Sequence, residues 1–417
     1  MTIVTSVTPT HTAQPRLLVV NPAADLYGSD RMLLEAAAGA VERGWHVDAA
    51  LGADGPLADA LRAAGVSVHR VVAPVLRKGD LRPAALVRLV ARTARATASI
   101  GAIVRRTRPD VAYVNTVTMP WWLVMARLLR VRSVIHVHEA EAALPTAMQV
   151  ALTAPLHLAD KVVFNSRTSR AVAAALPGVG RRLQAAPVVL NGLSEPAPGT
   201  SSPPREVLTD GPRLLYVGRL SPRKGVDVAV EAVRLLHRRG VPATLEIVGA
   251  VFAGYEWFET QLREAIAAAG LEEAITLHGF RDDVADLRAA TDIALVPSVA
   301  DESFGNVVIE SLLAQRPVVI ADQVGLAEAG EGLASVVTSR AGDAAAIADA
   351  VTAIATDWPR RRAWVVRDGE AARQRHAPSR YRDEIVQILA GEPARAPRRS
   401  RGRPALAGGF PQESVTS

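Results

Sequence analysis

The chain has no cysteine among its 417 residues, which excludes disulfides, thiolate chemistry and cysteine-ligated zinc. That absence suits a reducing compartment. Lysine is almost missing too: only Lys78, Lys161 and Lys224 occur, so the net charge of +6 rests on arginine. A bias this strong often reflects genome composition, and charge is no argument for a nucleic-acid partner; none is expected. Aromatics make up only 4%, so cores must be packed from Ala, Val and Leu. No window approaches the ~18 uncharged apolar residues of a membrane span. Residues 1–15 lack the charged start and apolar run of a signal peptide. The expected location is the cytoplasm, peripheral at the inner membrane face.

What is present is enough for two domains of ordinary size. Short apolar runs alternate with helical patterns, the mark of parallel sheets covered on both faces. In the first half the strands are Arg16–Val20, Trp45–Leu51, Val66–Val72, Val111–Val114, Ser133–Val137 and Lys161–Phe164. In the second they are Arg213–Val217, Ala243–Val248, Ile275–His278, Ile293–Val296 and Pro317–Ile320. Between them, 193–212 has the Pro, Ser, Gly and Thr content of a linker. The expected division is a disordered N-terminal tail (1–15), a first α/β domain (16–192), the linker, and a second α/β domain (213–377). A last amphipathic helix (378–390) should pack back on the first domain, and 391–417 forms a disordered basic tail. Open parallel sheets bind ligands at the carboxyl edges of their strands, which places a cleft between the two domains.

Two segments carry chemistry. Gly218-Arg219-Leu-Ser-Pro-Arg223-Lys224-Gly225 offers a glycine at a strand exit and cations where a diphosphate could lie; Arg223 is the weakest of the three. Glu302-Ser-Phe304-Gly305-Asn306-Val-Val-Ile-Glu310 separates two carboxylates by seven residues across a helix start, with Ser303 as its cap. That separation suits hydroxyl clusters along an extended ligand better than one shared metal. No Asp-x-Asp motif appears, so a diphosphate-bridging metal has no evident ligand set, and no metal or separate cofactor is expected.

On these residues the chain resembles the retaining glycosyltransferases of family 4, over roughly 16–390. The resemblance implies the GT-B fold, with two doubly wound Rossmann-like α/β domains facing a central cleft. It implies that Arg219 and Lys224 hold the diphosphate of a nucleotide-sugar donor, that Glu302 touches the transferred sugar and that Glu310 touches the ribose. Amides around Phe304, Gly305 and Asn306 would complete those contacts. Gly218 and Gly249 would form donor-side turns, and the Gly279–Val284 loop the base-binding edge. In the first half, Gly28 resembles the glycine over which sugar and acceptor meet, and His138 the histidine that contacts the sugar. Asp25 and Glu139 are lesser acceptor candidates, and His136 belongs to the sheet. Asn165-Ser166 and Asn191-Gly192 end segments as the family's do, the latter shaping the hinge. Two departures stand out: Gln315 replaces a usual glycine, and Val324-Gly325-Leu326 replaces a Gly-Gly loop. Both were expected beside the donor, where they bear on donor identity and on the strength of the activity.

The implied partners are the donor and a glycan, lipid-linked or small-molecule acceptor. Arg88, Arg92 and Arg95 lie on one face of a segment ending in Arg105, Arg106 and Arg108, a candidate surface for anionic lipid. A dehydrogenase would need Gly-x-Gly-x-x-Gly after the first strand, which Asn21–Gly28 lacks. A GT-B sugar-nucleotide epimerase and a catalytically weak nucleotide-sugar-binding partner of another transferase are the remaining alternatives.

Overall fold

The computed structural model describes residues 14–391 except 73–85, 141, 143, 177, 179, 196–201, 253 and 282, and leaves out the side chains of 86–92 and Arg181. The basic tail from 392 on, most of the N-terminal tail, the middle of the linker and the side chains of Arg88 and Arg92 therefore lie outside the described residues.

The first six strands are β1 (Arg16–Asn21), β2 (His46–Leu51), β3 (Ser67–Arg70), β4 (Val111–Val114), β5 (Arg132–Val137) and β6 (Lys161–Phe164). The second six are β7 (Arg213–Val217), β8 (Thr244–Val248), β9 (Ile275–Leu277), β10 (Ile293–Val296), β11 (Val318–Ala321) and β12 (Val336–Ser339). They form two all-parallel sheets of six, ordered β3-β2-β1-β4-β5-β6 and β12-β11-β10-β7-β8-β9. Counted from its own first strand, each sheet has the same doubly wound order. The order reverses between β1 and β4 in one and between β7 and β10 in the other, and ligands bind open sheets at such points. Leu17, Leu18, Val19 and Val20 are all buried, as a strand covered by helices on both faces requires.

The two domains share a core. The apolar cluster around β1 and the helix Gly28–Glu42 also takes in Val308, Ile309 and Leu312 from the second domain's helix Asn306–Leu313. It includes Tyr381, Ile385 and Leu389 from the last helix, Pro378–Ala390, which packs on the first domain. Arg132 donates to the carbonyl of Ile388 at 2.8 Å, and Arg382 pairs with Glu35 at 2.6 Å. That helix thus returns the chain's end to the domain it began in.

A polar clamp completes the contact. Buried Glu328, in the helix Val324–Ala329, accepts from the amides of Arg167 and Thr168 at 2.8 Å each. It also accepts from the Thr168 hydroxyl at 2.7 Å. A carboxylate of one domain therefore caps the helix Arg167–Ala174 of the other, where free amides and the helix dipole favour negative charge. Beside it the Ser166 hydroxyl donates to the Ser303 carbonyl at 2.5 Å.

Gln315 stands just past the helix Asn306–Leu313 with φ +58°, and it does not line the central cavity. The glycine preference there belongs to a left-handed helix terminus, not to donor contact, which corrects the expectation that this departure lies beside the donor.

Two outcomes follow for stability. Glu328→Ala strips the acceptor from two amides and a hydroxyl, those of Thr168 buried, and should cost about 3 kcal/mol by equilibrium denaturation; a loss no larger than that of an ordinary surface change would show the clamp to be incidental. Gln315→Gly relieves the left-handed strain at the price of backbone entropy, for a net gain of about 0.5–1 kcal/mol seen as a raised Tm. A lower Tm would mean that the Gln315 side chain contributes more than its backbone costs.

Candidate active site

The carboxyl ends of both sheets open onto one cavity of about 510 Å³. Eleven of the residues singled out in the sequence line it: Gly28, His138, Gly218, Arg219, Lys224, Gly249, Glu302, Phe304, Gly305, Asn306 and Glu310. Asp25 and Arg223 do not. Asp25 is exposed, and the carboxylate that turns back to the start of the helix Gly28–Glu42 is Asp30, accepting from the Tyr27 amide at 3.0 Å. Arg223 donates instead to the Asp301 carbonyl at 3.0 Å.

On the second domain the loops after β7 and β10 are locked together. Gly225, at φ +67°, presses against the Pro297 carbonyl so closely that a Cβ would lie 2.1 Å from it. The Val299 amide donates to the Arg223 carbonyl at 2.9 Å. This docking brings Lys224 Nζ to 2.5 Å from Glu302 Oε1, which also accepts from the Ser298 hydroxyl at 2.8 Å. Gly325 backs the same loop, since a Cβ there would be 1.9 Å from the Glu302 carbonyl, and Leu326 reaches the cavity wall. The second departure thus keeps a glycine where the Glu302 backbone needs it. Gly249 and Gly218 bring the ends of β8 and β7 together, with room for no Cβ on Gly249.

Glu310 forms an ion pair with Arg288, a residue that sequence reasoning missed. Both are largely buried, at 18% and 12% side-chain exposure. The backbone of Arg288 is held in turn by buried Arg316, whose Nε donates to the Arg288 carbonyl at 2.8 Å. Arg219 has no carboxylate partner among the described residues. Its guanidinium lies 4.5 Å from the Phe252 ring centroid and 5.2 Å from that of Tyr27. The helix Asn306–Leu313 begins at Gly305, φ +102°, without a side-chain cap. Ser303 is therefore not the cap expected, and amides at the helix's positive end have no side-chain acceptor.

On the first domain, Gly28 faces Asn306. A Cβ on Gly28 would stand 2.8 Å from Asn306 Nδ2, while Asn306 Oδ1 accepts from Asn191 at 2.7 Å. The close approach that makes Gly28 a glycine is thus to the opposite domain. His138 follows β5 and is buried, with Nε2 3.0 Å from Asn115 Oδ1. The tautomer follows from the chain of amides behind it. Asn21 Nδ2 donates to the Ala23 carbonyl and to Asp30, so its oxygen faces Asn115 Nδ2, which also donates to the Ser29 carbonyl. Asn115 therefore offers its oxygen, His138 carries the proton on Nε2, and Nδ1 is left as a buried acceptor without a partner. Burial pushes the His138 pKa down to about 3, so the ring is neutral. His136 is fully buried in the sheet with the Tyr113 hydroxyl 2.7 Å from Nδ1. Burial raises Glu139, against the hydrogen bonds from Thr116 and from the His138 amide. Among the described residues no three His, Asp or Glu side chains converge as metal ligands.

Residues 211–357 match the family model described as glycosyl transferases group 1. The D-inositol 3-phosphate glycosyltransferase of Rhodococcus jostii is 29% identical over 363 residues, 77% of each chain. The amylovoran biosynthesis glycosyltransferase AmsK of Erwinia amylovora is 34% identical over 151 residues, 34% of this chain and 36% of that one. The chain spans about a third of the length of several curated relatives that it matches. The crystal structure of HepE from Anabaena with UDP and glucose superposes with a TM-score of 0.74 at 21% identity, covering 91% of this chain and 100% of that one. Sucrose-phosphate synthase from Thermosynechococcus elongatus gives 0.70 at 18% identity, over 91% and 99%. The fold is GT-B.

Burial also sets a pH limit. His136, His138 and His376 are held below the ordinary imidazole value by desolvation, His376 at about 4. In the unfolded chain they take up protons near pH ~6.5. Their contribution is fully present above that pH and is lost as pH falls toward the folded values, because the unfolded state then binds more protons. Each removes up to ~1.4 kcal/mol per pH unit. Nearer pH ~4 the raised Asp30 and Glu139 act in the opposite sense. Tm followed from pH 7.5 to 5.5 should drop steadily; a flat profile would contradict neutral buried histidines.

Proposed function

We propose that this chain transfers a sugar from a nucleotide-diphosphate sugar to an acceptor hydroxyl, with retention of configuration and without a metal. The observation that carries the reading is the convergence of Arg219, the Lys224–Glu302 pair, the Arg288–Glu310 pair and an uncapped helix start on one interdomain cavity. An NDP-sugar offers two charged phosphates, two sets of hydroxyls and an extended shape, and this lining matches that order of groups. The group 1 match over 211–357 supports it, as do the names of the glycosyltransferase relatives and the UDP and glucose bound by the Anabaena neighbour.

In this reading Arg219 and Lys224, with the helix amides, take the negative charge that grows on the departing diphosphate. Such preorganised donors are worth most where charge develops. Glu302, held by Lys224 and Ser298, accepts from hydroxyls of the transferred sugar. Glu310, paired with Arg288, accepts from the ribose. His138 stays neutral and its free Nδ1 accepts from a sugar hydroxyl. A neutral ring adds no positive charge beside a sugar that is becoming cationic. The acceptor attacks from the face that the leaving phosphate occupies, and that phosphate takes its proton.

We also read the helix Leu86–Thr107 as a peripheral contact with anionic lipid, which would bring the chain to a lipid-linked acceptor on the cytoplasmic side. Arg95, Arg105 and Arg106 are exposed, while Ile100 and Ile103 pack inward. Among the described residues no helix is long and apolar enough to cross a membrane.

Thermal shift with a panel of nucleotide-sugars identifies the donor, and transfer is then measured with purified variants. Arg219→Ala and Glu302→Ala should each lower kcat about 10²–10³-fold while leaving Tm nearly unchanged. Stabilisation by no nucleotide-sugar, or near-normal transfer by either variant, would overturn the assignment concerned.

A further inference from the structure

This chain spends few aromatics, at 4% of its residues, and buries half of those described. Among the described residues only four aromatic side chains are more than a third exposed: Phe252 (44%), Tyr255 (43%), Trp257 (50%) and Phe280 (54%). All four belong to the second domain, in the segments that follow β8 and β9. They are not scattered. Tyr27, on the opposite lip of the cavity, meets Phe252 and Phe280 edge-on at 6.4 Å each, and Tyr255 and Trp257 stack at 6.1 Å and 29°. The Tyr255 amide donates to the Phe252 carbonyl at 2.9 Å, which joins the two groups through one turn. Phe280 lines the cavity itself.

Exposed aromatic surface is unfavourable in water, and its concentration at one rim marks a binding surface. Trp257 is held in place. It packs edge-to-face on buried Phe258 at 5.7 Å, and Glu256 ties the preceding turn by accepting from the Gly254 amide at 2.8 Å. Gln261, one turn further along the helix Glu256–Ala268, is exposed and offers an amide that both donates and accepts.

We propose that Tyr255 and Trp257 form a saccharide-binding platform that holds a sugar unit of a glycan acceptor beyond the one that reacts. A pyranose presents an apolar face of C–H bonds to an aromatic ring and hydroxyls around its edge. Stacked Tyr and Trp faces with an amide alongside complement both features. Continuity with the cavity through Phe252 and Phe280 places the platform on a path that a chain of sugars can follow out of the cleft. The identity of the ligand rests on the transferase reading, whereas the platform's existence does not.

The test uses the full-length protein and neutral cello-, malto- and manno-oligosaccharides in saturation-transfer NMR. Saturation should reach the ring C–H protons of at least one series, and Tyr255→Ala/Trp257→Ala should bind it about tenfold more weakly. Thermal shifts with nucleotide-sugars should be unchanged in that variant. Saturation of no saccharide, or equal saturation in the variant, overturns the platform. Co-sedimentation with phosphatidylglycerol vesicles that is lost in the variant, without saccharide binding, assigns the rim to lipid and overturns it as well. Nucleotide-sugar binding kept while saccharides fail sinks the platform alone. Saccharide binding without any nucleotide-sugar binding sinks the transferase reading instead.

Discussion

The two domains meet across a position that carries no side chain. Gly28 begins the first long helix of one domain and Asn306 the helix Asn306–Leu313 of the other, and a Cβ on Gly28 would press on the Asn306 side chain. Their meeting brings the reversal points of two similarly wound sheets face to face. The remaining interdomain contacts act on the same seam. Asn191 holds Asn306, Ser166 holds Ser303, and Glu328 caps the helix that starts beside Ser166. One of these lands in the loop that carries Glu302 and another at the start of the helix that follows it. A change in domain spacing would therefore be felt at Glu302 and at the start of the helix bearing Glu310, not merely at a remote hinge.

Charge in the cleft is arranged in pairs that a ligand can use. Lys224 neutralises Glu302, and Arg288 neutralises Glu310, so neither carboxylate is left buried and alone. Arg219 has no carboxylate among the described residues and rests on aromatic faces. A cation on an aromatic face gains only ~0.5–2 kcal/mol, much less than it would from a desolvated phosphate. Arg31 also lines the cavity, with the Leu26 carbonyl rather than a carboxylate as its partner among the described residues, so the site carries positive charge beyond these pairs, together with uncapped amides. An anionic ligand needs to break no ion pair to be attracted. It has only to draw Arg219 off two rings.

The parallel sheets were legible because their strands are short, uninterrupted apolar runs such as Leu17–Val20 and Ile293–Val296. The strand that escaped, β12, is an edge strand, and its Val-Val-Thr-Ser is only half covered, so no such run marks it. The charged lining was legible from spacing, since Arg219, Lys224, Glu302 and Glu310 lie close to glycines and a helix start. Arg288 was not, because it stands in a short helix among many arginines, and only the fold shows which one reaches Glu310. Gln315 was visible as a departure but was misplaced. A backbone requirement at a helix terminus and a ligand contact both favour glycine, and sequence alone does not separate them.

The amides behind His138 fix the orientation of the first-domain histidine that the sequence already singled out. Asp30, Asn21, Asn115 and His138 form one hydrogen-bonded line running from a helix start to the cavity wall. Each amide has its direction fixed by a backbone carbonyl, so the line has a single sense and ends in an unprotonated Nδ1. An unsatisfied buried acceptor costs about 1–3 kcal/mol, and such costs persist where a ligand supplies the missing partner. A hydroxyl-bearing ligand would repay that cost, whereas an anion alone would not. In the proposed reading the two walls of the cavity serve different groups: the second domain negative charge, and the first a hydroxyl that donates. On that reading a phosphorylated sugar meets both requirements in one molecule, whereas an inorganic phosphate or a neutral glycan meets one.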